Sequence, residues 1–488
     1  MFKRTVTAAL ALAIVLSSLA FSSRSAFAQR DTTAAPGVWQ SAILIQNVST
    51  ASADLSINFY DKTGTSVYTY PTTLAGGKSV TIVVPSAIPT LAAGQYSAVV
   101  SSTQKVIASV QTSSVSQVTG PWTAFAYEGV DSSNAAKDVF FPANYNSYYT
   151  FFSEFVIQNT DDTNLSGTVL TADFYDGTGK KINSAAVSLG TLAKSSTKTY
   201  ATTDAVFASA GLPSGNAGLF GAVIHSASTP IAGIVNIWAT TPTNKIASYN
   251  GATAGAQSLY APSLSNNYFG FASALTIQNV SGTASATVQI TYSNGVQENF
   301  TLAPYAAQAF FQPNNTKLPS GNTGGSFTAT VTATGAPIIG VVSYSAPANL
   351  NNNAVIGSFA SYNAPSVASA QVSIPNLLSN YYGYFTNVSV QNTGSTPTDI
   401  TLTYENGLTW KQTNIAGNGV ANFIHLAPNG TSLKNPLSGP QSVSAVASSS
   451  NNNLLVAVIQ HNTILGVTGY TSAHTPSDYL QVFTATAK

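Results

Sequence analysis

The feature that most constrains this chain is a pattern that occurs four times. An apolar alternating run closes on a Gln-Asn pair at Ala42-Ile43-Leu44-Ile45-Gln46-Asn47, Glu154-Phe155-Val156-Ile157-Gln158-Asn159, Ala274-Leu275-Thr276-Ile277-Gln278-Asn279 and Asn387-Val388-Ser389-Val390-Gln391-Asn392. The four glutamines are spaced by 112, 120 and 113 residues. Self-similarity at a near-fixed period means one structural unit copied along the chain. Each pair is followed by an aromatic and a turn: Phe59-Tyr60-Asp61, Phe174-Tyr175-Asp176, Tyr292-Ser293-Asn294-Gly295 and Tyr404-Glu405-Asn406-Gly407. Further on, Leu-Pro-Ser-Gly-Asn stands at both 212–216 and 318–322.

The local pattern is β throughout. Alternation has period 2, Val, Ile, Thr, Tyr and Phe are abundant, and Gly, Asn, Asp, Pro and Ser punctuate at short intervals. Units of roughly 110 residues with about seven short strands predict tandem immunoglobulin-like or fibronectin-like β-sandwiches. Each is large enough to bury its own core. The expected organisation is all-β: a signal peptide at 1–28, sandwich repeats at 29–134, 135–254, 255–366 and 367–475, and a C-terminal strand at 476–488.

Lys3 and Arg4, the apolar stretch Thr5 to Phe21 and the small-x-small site Ala26-Phe27-Ala28 read as a secretory signal, with the mature chain starting at Gln29. The alternative, an uncleaved anchor, is disfavoured because the stretch is short for a span and is interrupted by Ser17 and Ser18. No later segment approaches a membrane span, so a secreted or cell-surface location is expected. The chain has 17 Lys+Arg and 16 Asp+Glu in 488 residues, or 7% charged. Ordinary soluble domains have about 25%. With 44% hydrophobic residues this is not a disordered composition, and no basic stripe suits a nucleic acid. Removal of residues 1–28 takes away Lys3, Arg4 and Arg24 and moves the net charge from +1 to −2. The absence of cysteine excludes disulfides, thiolate metal sites and a Cys nucleophile.

Catalytic templates fail, and no enzyme activity, cofactor or metal is predicted. His225, His425, His461 and His474 show no metal-ligand spacing and no accompanying carboxylate. His225 and His461, just after apolar runs, read as edge-of-sheet residues. Asp161, Asp162 and Asp176 could hold calcium, but loop acids more often form turns. The pairs Gln46-Asn47, Gln158-Asn159, Gln278-Asn279 and Gln391-Asn392 could bind sugar through paired amides; the better reading is structural, with Asn starting a turn and Gln satisfying backbone at a strand end. Aromatics cluster before the repeated strand, at Tyr145, Tyr148, Tyr149, Phe151 and Phe152, at Tyr268, Phe269 and Phe271, and at Tyr381, Tyr382, Tyr384 and Phe385. They are expected to pack between neighbouring sandwiches; the alternative is contact with a surface polysaccharide or with another subunit.

Units two to four each begin with a β run ending near Pro142, Pro262 or Pro375, and the step from that Pro to the repeated Gln is 16 in all three. In unit one the same step from Gln46 reaches Arg30, so its first strand falls largely within the removed signal. Tyr127, Tyr249 and Tyr362 end the preceding units, and Tyr470 takes that place in unit four. The tail, with Tyr479, Leu480, Gln481, Val482 and Phe483, then reads as a first strand with no unit after it. Donated to unit one of the next molecule, it would add a strand by β-augmentation and propagate head-to-tail. The alternative is that it folds back on unit four.

With this repeat length, strand pattern and composition, residues 38–475 resemble the tandem immunoglobulin-like β-sandwich proteins of bacterial surfaces, such as surface-layer, adhesin-stalk and fibre subunits. The resemblance is architectural. It implies a secreted structural protein whose partner is itself, in a filament or layer, or alternatively an adhesive, carbohydrate-binding array.

Overall fold

The computed structural model describes residues 38–115, 124–164, 166–239, 245–346, 358–379, 381, 384–426, 435–437, 439–463 and 480–487. The signal segment, Tyr382, Tyr470, His474 and Tyr479 lie outside them. The fold is all-β, as the alternation requires. Repeat one supplies β1 (Val38–Asn47), β2 (Ala53–Tyr60), β3 (Ser66–Leu74), β4 (Ser79–Val83), β5 (Ser97–Ser102), β6 (Val106–Val115) and β7 (Ala124–Glu128). Repeat two supplies β8 (Asp138–Tyr148), β9 (Phe151–Asn159), β10 (Thr168–Tyr175), β11 (Val187–Leu192), β12 (Thr197–Ala201), β13 (Leu219–Ser226), β14 (Ile231–Ala239) and β15 (Lys245–Asn250). Repeat three has β16 (Ser258–Ser265), β17 (Ala272–Asn279), β18 (Ala286–Tyr292), β19 (Gln297–Leu302), β20 (Ala307–Phe311), β21 (Ser326–Thr334), β22 (Ile338–Ser345) and β23 (Phe359–Asn363). Repeat four has β24 (Gln371–Ser379), β25 (Tyr384–Asn392), β26 (Thr398–Tyr404), β27 (Thr409–Ile415), β28 (Val420–Ile424), β29 (Gln441–Ser449), β30 (Leu455–Thr463), β31 (Gln481–Thr484) and β32 (Thr486–Ala487).

One sheet of each repeat has the same order: β4-β1-β6-β7, β12-β9-β14-β15, β20-β17-β22-β23 and β28-β25-β30-β31. The facing sheet is β11-β10-β13-β8 in repeat two, β19-β18-β21-β16 in repeat three and β27-β26-β29-β24 in repeat four. In repeat one it is only β3-β2-β5. Cores form where the alternating residues of both sheets meet. In repeat two Phe141 meets Phe155 edge-on at 5.4 Å, and Phe174 meets Phe220 at 5.5 Å, the geometry that aromatic quadrupoles favour.

The chain forms two compact units. One holds residues 1–59, 66–129 and 368–488, hence repeats one and four; the other holds residues 60–65 and 130–367, hence repeats two and three. Within each unit the last strands of two repeats meet. Asn363 Nδ2 donates to Asn250 O at 2.6 Å, and Asn250 N donates to Asn363 Oδ1 at 2.8 Å. In the other unit the backbone N–H and hydroxyl of Thr484 both donate to Glu128 Oε1. Strand register makes these four residues equivalent, since they pair with Ser109, Ile234, Val341 and Val458. Each seam therefore joins like position to like position, as a self-complementary contact does.

The tail follows the second of its two sequence readings and folds back on repeat four. It is the last strand of that repeat, not a first strand in search of a unit. Phe483 pairs with Ile459 just as Tyr127, Tyr249 and Tyr362 pair with Val110, Val235 and Val342. Two residues on, the same bond recurs in all repeats: Gly129 N to Ala108 O, Gly251 N to Gly233 O, Ala364 N to Gly340 O and Ala485 N to Ala457 O, at 2.8 to 2.9 Å. One residue further, Thr486 pairs with Ser373 as Ala252 bridges Phe140. Phe483, not Tyr470, holds the terminal aromatic position. It lies fully buried in the repeat-four core, so the tail is not spare.

Candidate functional site: an open sheet edge and exposed hairpin tips

The repeated asparagines are spent on backbone. Asn279 Nδ2 reaches the carbonyls of Ala284, Leu302 and Ala303 at 2.8 to 3.2 Å, and its Oδ1 accepts from Ser281 N at 2.9 Å. Asn392 does the same with Thr396, Ile415, Ala416 and Gly394. Asn47 bonds to Ala51 and Leu74, and Asn159 to Leu192, Asp161 and Thr229. All four are fully buried, with Gln46, Gln278 and Gln391 buried beside them and Gln158 half-buried. The amides pin the turn after one strand to the end of another and offer nothing to a sugar.

The loop acids close turns. Asp161 Oδ1 accepts from the amide and hydroxyl of Thr163, and Asp176 Oδ1 does so from Thr178. These bonds hold the exposed Asp161 carboxylate below its usual range.

The histidines depart from the expectation. His225 lies on an interior strand and has carboxylate partners after all, Asp138 at 2.8 Å and Asp173 at 3.6 Å. Antiparallel pairing of β13 with β8 and β10 gathers residues far apart in sequence. His461 is buried rather than at an edge, because the tail strand covers it. His425 is also buried: its Nδ1 faces the Thr386 carbonyl at 3.0 Å, so Nδ1 carries the hydrogen, and Nε2 accepts from Tyr404 Oη at 2.8 Å. Thr386 Oγ1 accepts from Leu378 N and shares a hydrogen bond of 2.7 Å with His461 Nδ1. Burial pushes His425 down to about 4, and burial together with His425 pushes His461 down to about 3. Both are neutral core histidines.

Two surface features remain. The first is the outer edge of β5. In repeats two, three and four the equivalent strands β13, β21 and β29 are covered by β8, β16 and β24. Among the described residues, β5 has no strand on that side. A shared closing bond fixes the correspondence: Thr103 N to Asp54 O, Ala227 N to Val169 O and Ser450 N to Asp399 O. Counting back, Ala98 and Val100 match Ala222 and Ile224 in repeat two and Ala445 and Ala447 in repeat four. The latter four are at most 1% exposed, whereas Ala98 and Val100 are partly exposed. Across the sandwich, Val106 is partly exposed where Ile231, Ile338 and Leu455 are fully buried. Among the described residues, the missing strand read from the sequence is thus an apolar slot beside a sheet edge with no strand on it.

The second is the tip of the hairpin that joins the first two strands of a repeat. Tyr268 and Phe271 exchange backbone bonds at 3.1 and 2.9 Å around Phe269 (φ 46°) and Gly270 (φ 77°). In repeat two the central pair is Tyr149 (φ 46°) and Thr150 (φ 73°). Two positive φ values define the mirror turn that normally takes Asn-Gly. An aromatic or β-branched residue there costs about 1–2 kcal/mol. Tyr149 is 62% exposed and Phe269 53%. Each leans edge-on against its neighbour, Tyr148 or Tyr268, with centroids 4.7 Å apart. In repeat four Tyr381 and Tyr384 exchange the same bonds.

The aromatic clusters therefore split. Phe151 packs on Phe359 of the next repeat at 4.5 Å, as expected of an interdomain residue. Tyr149 and Phe269 do not; they face solvent. The repeated Leu-Pro-Ser-Gly-Asn segment braces these tips, which the sequence did not disclose. Asn267 Nδ2 donates to Ser320 Oγ at 3.2 Å and Phe269 N to Asn322 Oδ1 at 2.7 Å. In repeat two Asn146 Nδ2 donates to Pro213 O at 3.1 Å.

No family model matches the chain, and no curated protein matches it. Among solved structures, the crystal structure of Thermotoga maritima 1070 is similar over 24% of this chain and 97% of its own, at 12% identity and a TM-score of 0.19. A tetra-tandem repeat in the extending region of a large adhesion protein is similar over 91% of this chain and 93% of its own, at 12% identity and a TM-score of 0.10. At such TM-scores neither likeness bears on function, and the assignment to tandem β-sandwiches rests on the strands themselves.

Proposed function

We propose that the chain is a secreted, non-enzymatic structural subunit of a cell-surface or extracellular filament or layer, joined to its neighbours by strand addition at β5. The observation that carries this reading is the slot at Ala98, Val100 and Val106, filled in three repeats and, among the described residues, left without a strand in one. An unpaired edge over an apolar slot is a template for an incoming strand. The chain's own N-terminus is a poor occupant. The inward residues of the resident strands, such as Val139 and Phe141 or Val372 and Ile374, lie 19 and 17 residues before the repeated Gln. Those steps from Gln46 reach Phe27, removed with the signal, and the polar Gln29. The tail is committed to its own repeat, where donation would strip Phe483 from the core. The donor in this reading is another strand of a neighbouring molecule. A mature net charge of −2 opposes close packing of copies only weakly.

The test places a copy of residues 370–379, with a short linker, ahead of β1 in the mature protein. This closes the edge in cis. Light scattering and negative-stain microscopy should show assemblies for the native mature chain and single molecules for the grafted one. Assembly unaffected by the graft, or a native chain that stays monomeric at all concentrations, defeats the reading. A second reading, adhesion to polysaccharide, is favoured by the exposure of Tyr149 and Phe269.

A further inference from the structure

We infer that the hairpin tips at Tyr149 and Phe269 are stacking sites for a neutral, β-linked polysaccharide. This deepens the adhesive reading and does not depend on strand addition. Three observations converge. Each tip holds an aromatic ring out to solvent at a backbone conformation that disfavours it, where Asn or Gly would sit without strain. Strain kept at an exposed position points to a role for the side chain that sits there. The same device occurs on two repeats with matching geometry, the tip ring propped edge-on by the preceding tyrosine at 4.7 Å, which fixes the direction of its open face. Finally, the groups beside the tip are neutral donors and acceptors. Ser320 and Asn322 are exposed next to Phe269, and Ser214 and Asn216 are the exposed members of the same motif in repeat two.

A flat aromatic face flanked by hydroxyl and amide groups suits a pyranose. Its axial C–H face is apolar and lies on the ring, while its equatorial hydroxyls reach sideways to polar groups. Equatorial linkages leave that face free along the polymer, so a β-linked chain presents one ring after another. Repetition on two repeats of one molecule lets a single polymer engage more than one tip, which multiplies weak single contacts.

The experiment compares the full mature chain with the double variant Tyr149→Asn/Phe269→Asn. Asn is favoured at positive φ, so the variant should fold with an equal or higher melting temperature. The probes are insoluble cellulose and chitin, both neutral and β-linked; the readouts are retained protein, melting temperature and particle size. The expected result is at least a tenfold loss of retention at unchanged particle size and undiminished melting temperature. Equal retention by variant and native chain overturns the assignment to these tips while leaving the adhesive reading standing. Failure of the native chain to bind any probe overturns both. A variant that loses particle size but not retention shows the tips to be protein contacts and also overturns it.

Discussion

Acidification should weaken repeat four from pH 6.5 downward, above the range in which ordinary carboxylates are protonated. His425 and His461 are buried around Thr386, with Tyr404 and Trp410 against His425 and Phe483 against His461. Each is held neutral, His425 at about 4 and His461 at about 3, against 6.5 in the unfolded chain. The unfolded state therefore binds more protons, and stability falls as pH drops below 6.5. The loss grows until pH reaches the folded values and is then complete. At 1.36 kcal/mol per unit, His425 alone accounts for about 3 kcal/mol by pH 4. His461 adds a comparable amount, but the two repel each other when charged and their effects are not additive. A loss of about 3–6 kcal/mol is a large part of the roughly 5–15 kcal/mol that holds a domain. The assay is urea unfolding between pH 7.5 and 4, followed by the fluorescence of Trp410, which is buried in this core. The midpoint should be flat above pH 7 and fall steadily below 6.5. In the His425→Gln/His461→Phe double variant the slope should largely vanish. A native midpoint that stays level down to pH 4, or a slope equally steep in the double variant, refutes the argument.

Three further outcomes follow from the same geometry. Burial raises the Glu128 carboxyl above its usual range, although it accepts from Thr484, and the equivalent residues of the other seam are the amides Asn250 and Asn363. Glu128→Gln keeps an acceptor and removes a desolvated charge, so it should raise the melting temperature at pH 7 and leave it unchanged near pH 4, where native Glu128 is already neutral. Tyr249 and Tyr362 donate their hydroxyls to Ala143 O and Ser263 O at 2.9 and 2.6 Å, and Asn376 O has the equivalent place opposite Phe483. Phe483→Tyr should therefore stabilise repeat four by about 1 kcal/mol in urea titration. Asn279→Ala strips the carbonyls of Ala284, Leu302 and Ala303 of a shared donor and should cost about 2–3 kcal/mol, measured the same way.

The features legible in the sequence were those set by local chemistry. A buried Asn that must bond to a turn and a strand end recurs wherever that junction recurs, so Asn47, Asn159, Asn279 and Asn392 marked the repeat. The 16-residue step from Pro to Gln was legible because a tight turn joins the first two strands of a repeat and fixes the distance along them, and it located the slot in repeat one. The aromatics were harder. Tyr145, Tyr149 and Phe151 look alike in a list of residues, yet Tyr145 points into a core, Phe151 reaches the next repeat and Tyr149 rides on a turn. Period 2 alone does not tell a strand position from the turn that ends it. The His225 pairing with Asp138 and Asp173 was hidden for another reason: it depends on which strands neighbour β13.

The tail shows where sequence register misleads. Tyr470 stood at the spacing expected for the terminal aromatic, and the run from Tyr479 to Thr486 had the alternation expected of a first strand. Both inferences treated the interval between β30 and the last strand as constant. That interval joins antiparallel neighbours, and its length is not fixed by the sheet, because closing a longer connection costs little more entropy. What is fixed is the set of bonds a last strand makes: the aromatic against Val110, Val235, Val342 or Ile459, then the N–H two residues on, then the bridge to the first strand. Phe483, Ala485 and Thr486 satisfy all three in repeat four. This separates the two halves of the donor-strand idea. The acceptor half is independent of the tail, because among the described residues the slot in repeat one is left without a strand wherever the tail goes. The donor half does not, because removing Phe483 opens a second core in order to close the first. A neighbour that fills the β5 edge must therefore supply a strand its own sandwiches can spare.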